Sequence, residues 1–352
     1  MKFEALRGAV KHFVGNFGLP RLIIFFFVAL LFCAAPFVGV NVPASLSDVC
    51  VRWTQNAVLV LAMVPMIQSG AGLNFGLPVG IISGLLGATL AMQIGAAGTG
   101  GFILAILICL PFAFFSGYLY GGILNKVKGE EMTIAMYIGF SIVTFMSILW
   151  IALPFTNPTM VWAYAGAGLR TTISLEGYWS HILNDFLCIR AGNFMFPTGA
   201  LLFFVLCAVI MRIFMQSKTG TAMTAAGSNP DFARACGVSV DKMRRTSVVV
   251  STLFGAVGIL VYQQSFGFIQ MYNAPLFMAF PAVAAVLLGG ASVQKASLLN
   301  VIIGTFLFQS ILTMTPSVIN NIVKTDMSEV IRILISNGMI IYALTRKTKV
   351  AR

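Results

Sequence analysis

Residues 101–124 read GFILAILICLPFAFFSGYLYGGIL, an apolar run without a charged side chain. A helix needs about 20 mostly apolar residues to cross the hydrocarbon core of a bilayer, and this stretch supplies them. Working outward, comparable runs fall at 22–41, 55–70, 77–96, 132–154, 197–215, 247–265, 275–292, 297–316 and 329–345, so ten spans are expected. Composition agrees. Of the 352 residues 59% are hydrophobic and 9% charged, where soluble domains carry about 25% charged residues. No polar block between the runs is long enough to fold separately. The expected fold class is an all-α polytopic membrane protein, one transmembrane domain over 1–352.

The formal charge of +12 invites a nucleic-acid reading, which the positions of the charges remove. Lys and Arg in short loops accumulate on the cytoplasmic side. With the N-terminus inside, 17 of the 22 Lys and Arg residues fall in cytoplasmic segments or at a span's inner end, while Arg52, Arg170, Arg190, Lys324 and Arg332 fall outside. That asymmetry requires an even number of spans with both termini cytoplasmic. The N-terminus is basic (Lys2, Arg7, Lys11), but the first apolar run is long enough to remain as a helix. Two extramembrane segments stand out: an external loop at 155–196 and a cytoplasmic loop at 216–246. The external loop carries Trp162, Tyr164, Tyr178, Trp179, His181 and Ile182, a content suited to a short helix at the membrane interface. Cys50 and Cys188 both fall outside, where a disulfide is open to them but two free thiols are the commoner outcome.

Several chemistries are disfavoured. Intramembrane ionisable groups mark proton relays and ion coupling, and here Arg212 and Arg332 sit near span ends, where long side chains reach the interface. No GxxxxGK[ST] loop cradles a phosphate. His181 and Asp185 lack a nucleophile to complete a triad, and Cys and His spacings do not suit a metal. The chain reads as a transport component with no catalytic residues, no metal and no bound cofactor, its energy supplied from outside the chain.

The cytoplasmic loop points to where that energy enters. Asn229 suits an N-cap, Pro230 the first helical position, and Asp231 the positive end of the helix dipole. Pro230 to Cys236 then forms two turns, closed by Gly237 at C′. Ala233 and Ala235 offer a compact surface to a soluble partner. A bare connector between spans seldom needs about 30 residues.

At these residues the chain resembles the membrane subunits of ABC importers of the ribose-type and branched-chain amino-acid-type permease family. The pattern Ala226-Gly227-Ser228-Asn229-Pro230 through Ala233-Arg234 to Gly237-Val238 is similar to that family's coupling helix, with Lys242, Arg244 and Arg245 following. Ala282 to Ser292 (AVAAVLLGGAS) and Gly72 to Gly80 (GLNFGLPVG) are two further matching stretches. The chain departs from sugar permeases where an acidic ELDAIAA pattern is replaced by Phe277 to Ala284, where Gln294-Lys295 replaces a Gly-Gly pair, and where Asn74-Phe75-Gly76 replaces Asp-Leu-Ser. The resemblance implies a subunit of an ATP-driven, binding-protein-dependent importer in the bacterial inner membrane. Its implied partners are cytoplasmic ATPase subunits that use ATP and Mg, a second identical or homologous permease subunit, and an external solute-binding protein. Ser228, Asn229, Pro230, Asp231, Ala233, Arg234 and Gly237 would couple to the ATPase. A simple sugar is the first choice of solute, with a nucleoside or a branched-chain amino acid as alternatives. A passive channel or facilitator is the alternative from another class.

Spans 2–5 begin outside and spans 7–10 begin inside, which allows two inverted repeats. Their corresponding places, 69–80 and 263–276, are rich in Gly, Pro and amides. Irregular backbone at membrane depth survives only against protein or a water-filled cavity, so both stretches are expected to line the path. Asn74, Phe75, Gln263, Gln264, Gln270 and Asn273 are the path residues, because neutral amides exchange hydrogen bonds with a polyhydroxylated solute without the desolvation cost of a charge. For Gly84, Gly289 and Gly290 close helix packing is the competing reading.

Overall fold

The structure is a computed structural model that describes residues 19–162, 168–323 and 327–345. Both chain ends, with Lys2, Arg7, Lys11, Arg346, Lys347, Lys349 and Arg352, lie outside the described residues, as do Tyr164 and Lys324.

A helix stands at each of the ten expected stretches. They are α1 (Leu19–Ala34, extended by a 3₁₀ turn, Ala35–Val38), α2 (Val42–Leu61) with α3 (Met63–Gln68), α4 (Leu77–Gln93), α5 (Gly98–Lys126) and α6 (Glu131–Ala152). After a short helix α7 (Ile182–Asp185) come α8 (Thr198–Gln216), then α9 (Lys218–Ser228) and α10 (Pro230–Ala235) in the 216–246 loop. The set closes with α11 (Val240–Phe266), α12 (Asn273–Phe277) with α13 (Ala279–Leu288), α14 (Leu298–Val323) and α15 (Ser328–Thr345). Among the described residues six of these, α2–α3, α5, α6, α8, α11 and α14, are long and apolar enough to cross a membrane. Residues 22–38, α4 and α12–α13 are shorter apolar helices.

The second stretch corrects the expected start at residue 55. Its helix begins at Val42, where the Asn41 side chain accepts the Ala44 N–H at 3.2 Å and Pro43 occupies the first turn. Asp48 and Arg52 depress the apolar content of those first turns, and packing supplies what hydropathy lacks: Val49, Cys50, Ala57 and Val58 are buried.

Buried and exposed helices divide cleanly. The helices α2–α3, α11 and α14 are mostly buried, whereas α5, α6 and α8 turn large apolar side chains outward, among them Leu107, Phe114, Phe115, Phe145, Ile148, Leu206 and Ile213. Outward apolar surface on this scale needs lipid or protein to cover it. Small residues set the internal spacing. A Cβ on Gly84 would lie 2.5 Å from the Ala256 carbonyl, and one on Gly289 would lie 1.9 Å from the Asn300 carbonyl, so both serve close packing. Gly290 instead takes a left-handed φ of +91°.

The contacts repeat. α11 packs on α4 and α5, as α2 packs on α13 and α14; α4 packs on α5 and α6, as α13 packs on α14 and α15. Helices α2–α6 and α11–α15 are thus two sets with matching internal and reciprocal contacts.

The segment at 155–196 is built mainly of short strand pairs and turns, with a short helix at Ile182–Asp185. Thr172–Ser174 (β1) pairs antiparallel with Phe268–Gln270 (β4), and Ile189–Ala191 (β2) pairs with Phe194–Phe196 (β3). Trp179 is buried, because the segment folds back on the helix ends. Cys50 and Cys188 are both free thiols, and Asp185 pairs with Arg190 at 3.3 Å.

Candidate functional site

The loop 216–246 folds from local signals. Ser217 Oγ accepts the Gly220 N–H at 3.3 Å to start α9. One residue separates α9 from α10: Asn229, whose Oδ1 accepts the Phe232 N–H at 3.0 Å, with Pro230 in the first turn. Gly237, at φ +80°, ends α10. Its N–H donates to the Arg234 carbonyl and the Val238 N–H to the Ala233 carbonyl, both at 2.9 Å, which is the paired closure that satisfies the last orphan carbonyls of a helix. Asp231 and Arg234 pair at 2.8 Å on the exposed side, a contact worth about 0–1 kcal/mol. Ser228 is exposed and its hydroxyl donates to the Thr224 carbonyl at 2.8 Å.

One residue of this set behaves differently from expectation. Ala233 is 2% exposed and packs with Ala226 of α9 and Val240 of α11, so it anchors α10 and presents no surface. The outward group is Phe232, 65% exposed. Its sequence signal was position: the third residue of a capped helix whose second and fifth residues are charged and therefore outward.

The C-terminal end of α9 rests on the first irregular stretch. A Cβ on Gly227 would come within 2.1 Å of the Gln68 carbonyl oxygen, and the Thr224 hydroxyl donates to Gln68 Oε1 at 2.9 Å. Gly70 and Gly72 adopt φ of +70° and +83°, which lets the chain turn back. Asn74 then lies fully buried between α5 and α11: its Nδ2 donates to Ser251 Oγ at 2.7 Å, and its Oδ1 accepts the Tyr120 hydroxyl at 3.0 Å. Ser251 in turn donates to the Ala62 carbonyl, and Ser69 and Ser247 hydroxyls meet at 2.6 Å. Phe75 packs against Phe280, with ring centroids 5.8 Å apart.

The second irregular stretch is held by residues 172–184. Gly267 ends α11 at φ +83°, its carbonyl accepting the Leu175 N–H at 3.0 Å. The Gln264 carbonyl accepts the His181 N–H at 2.7 Å, and Gln264 Oε1 accepts the Leu183 N–H at 3.1 Å. Asn184 donates to Ser265 Oγ at 2.8 Å. Gln270 is half-buried in β4 opposite Thr172, and Asn273 is exposed at the start of α12. Gln263 is 1% exposed, and neither atom of its amide has a hydrogen-bond partner.

The structure therefore brings Asn74 and Phe75 together at one break and Gln263, Gln264, Gln270 and Asn273 together at the other. The Phe75–Phe280 contact joins the start of α4 to the start of α13.

The foot of α11 is pinned as well. Arg244 pairs with Glu131 at the start of α6, both largely buried. Lys128 pairs with Asp241 at 2.8 Å, and the Arg245 guanidinium lies over the Tyr118 ring, 4.8 Å from its centroid. Asp241, Arg244 and Arg245 thus attach the foot of α11 at three points, to the turn between α5 and α6, to α6 and to α5. Sequence reading used the basic run Lys242, Arg244 and Arg245 for membrane orientation and as the tail of the coupling-helix resemblance, and did not find these attachments.

Over residues 45–344 the chain matches the family model of the branched-chain amino acid transport system / permease component. None of the curated proteins and none of the solved structures matches it.

Proposed function

The chain belongs to the branched-chain amino acid transport system permease-component family, and we propose that it forms the translocation pathway of an ATP-driven, binding-protein-dependent importer in a bacterial inner membrane. The observation that carries the reading is the connection between α10 and the first break. α10 is exposed on one side and anchored through Ala233 to α9, and α9 sits against Gln68–Gly70. A push on α10 is transmitted to the irregular backbone by rigid contact, with the pinned foot of α11 as a second route.

In this mechanism cytoplasmic ATPase subunits grip α10 around Phe232 and Arg234, using ATP and Mg of their own. Their closure moves α9 and α11 and rocks the two sets of helices, read as inverted repeats, so that access alternates. A second permease subunit completes the pathway, and an external binding protein delivers solute over the 155–196 segment. The chain itself performs no chemical conversion.

A small uncharged polar solute is the favoured cargo, a simple sugar first. The buried polar side chains of the helical bundle are Ser, Thr, Asn and Gln, and Arg244 is already paired with Glu131. Hydroxyls and amides both donate and accept, which suits a polyol. A branched-chain amino acid would have to rely on backbone dipoles at the broken helices.

The test uses tagged chain purified from native membranes together with its ATPase. Deleting Pro230–Gly237, and separately Phe232→Ala with Arg234→Glu, is expected to abolish ATPase co-purification and uptake while leaving membrane insertion intact. Undiminished co-purification from the deletion variant would exclude α10 as the coupling element; uptake without any ATPase would favour a passive facilitator.

A further inference from the structure

A cleft of about 520 Å³ opens beside the end of α9. It is lined by Gln68, Thr224 and Ser228 on one side and by Ser292, Lys295 and Asn300 on the other, with no branched aliphatic or aromatic side chain in its wall. Its size falls in the range of about 300–1,000 Å³ typical of small-molecule sites, but those are lined mainly by apolar and aromatic groups. Most of the surface turned into this one is also hydrocarbon, but it comes from the stems and backbone of polar residues, with hydroxyls, amides and one ammonium set into it.

Gln68 spans the cleft. Its Oε1 accepts the Thr224 hydroxyl at 2.9 Å, and its Nε2 donates to the Ala296 carbonyl. The two partners belong to different parts of the molecule: Thr224 rides on α9, which carries α10, whereas Ala296 lies in the turn between α13 and α14, in the second set of helices. Gln68 itself is the last residue of α3, directly before the break. One amide therefore ties together the coupling loop, the first break and the opposite set. The far wall is firm. Ser297 and Asn300 cap the start of α14, with Ser297 N–H donating to Asn300 Oδ1 at 2.8 Å, and Asn300 Nδ2 donates to the Gly289 carbonyl at 2.7 Å. Movement of α9 must therefore either break the Thr224–Gln68 bond or carry Gln68 along and break its bond to Ala296.

We infer that this cleft is the release site for an uncharged polyhydroxylated solute on the α9 side of the membrane, and that Gln68 is the latch that closes it. The inference rests on the proposed importer reading and on residues 216–246 being cytoplasmic. When ATP-driven motion of α10 draws α9 away, the Gln68 amide exchanges its protein partners for the departing solute's hydroxyls. Gln68 is a positioning residue for the gate, acting through Thr224 and Ala296.

The experiment uses the full chain in lipid nanodiscs with Cys33 and Cys236 replaced by serine and Ser292→Cys as reporter. Alkylation of the residue-292 peptide by a membrane-impermeant maleimide is followed by mass spectrometry. Gln68→Ala is expected to speed alkylation roughly three- to tenfold, the factor that loss of about one net hydrogen bond permits. Gln68→Glu keeps the acceptor for Thr224 but loses the donor to Ala296, so it should speed alkylation as well. Thr224→Val, an exposed and mild change, should give a smaller increase and serves if Gln68 variants fold poorly. In the unsubstituted latch background, millimolar D-ribose should slow alkylation and L-leucine should not. Unchanged rates in all three latch variants would overturn the latch; protection by leucine alone, or by neither probe, would overturn the polyol site. ATPase co-purification is read on the same samples, so a failure of the importer reading appears there and not in the alkylation rates.

Discussion

The two breaks in the helical bundle, 69–76 and 267–272, are built alike and, with the helix ends that flank them, held differently. Each follows a long helix, turns through left-handed glycine and leads to a helix whose start meets the other at Phe75 and Phe280. In the first, Ser69 and Asn74 are satisfied by side chains of α5 and α11, inside the bundle. In the second, Gln264 and Ser265 bond to residues 181–184, and the Gln263 amide is left without a hydrogen-bond partner. The lesson is that the first break is bonded within the bundle, whereas the second leans on a segment outside it and leaves the buried Gln263 amide without a hydrogen-bond partner.

The strongest blow to this contrast is steric. Gly227→Val places side-chain atoms against the Gln68 carbonyl and backbone of residues 69–70, and is expected to cost about 3 kcal/mol by overpacking. Thermal unfolding in detergent measures it; an unshifted midpoint would show that α9 is not seated on the first break. Next in size is a matched pair of truncations. Asn74→Ala strands the Tyr120 hydroxyl and costs about 2 kcal/mol, whereas Gln264→Ala costs about 1 kcal/mol because the β1–β4 pairing and the His181 bond still hold residues 172–184. Hydrogen exchange should rise across 172–186 for the second variant and stay unchanged there for the first. Equal losses with the same exchange pattern would erase the difference between the breaks.

The smallest expected effect is the most informative. Gln263→Leu removes an amide with no protein partner and should change stability by less than about 0.5 kcal/mol, since no bond is lost and an apolar group replaces a stranded polar one. Uptake should fall. A stability loss as large as that of Asn74→Ala would mean that the Gln263 amide is bonded after all.

Much of this architecture is legible from short-range chemistry. The apolar runs locate the helices because only a long apolar helix satisfies its own backbone in hydrocarbon. Asn229, Pro230 and Gly237 mark both ends of α10 because capping involves residues within four positions of one another. The early start of α2 was not legible: Asp48 and Arg52 lower its hydropathy, and its burial comes from α8, α11 and α14. Nor was α9 as a separate helix, since Lys218–Ser228 is weakly apolar and gains its place from Gly227 against Gly70.

The sequence by itself determined that this is a polytopic membrane protein, where its apolar helices lie, where two of them break and which residues cap the loop helix. Only the tertiary structure decided that Ala233 is an anchor and Phe232 the outward group, that Gln264 is bonded while its neighbour Gln263 is not, and that Gln68 joins α9 to the opposite set of helices. The reason is range. Capping and hydropathy act between residues close in the chain, whereas Gln68 meets partners 156 and 228 positions away, a pairing that packing alone creates.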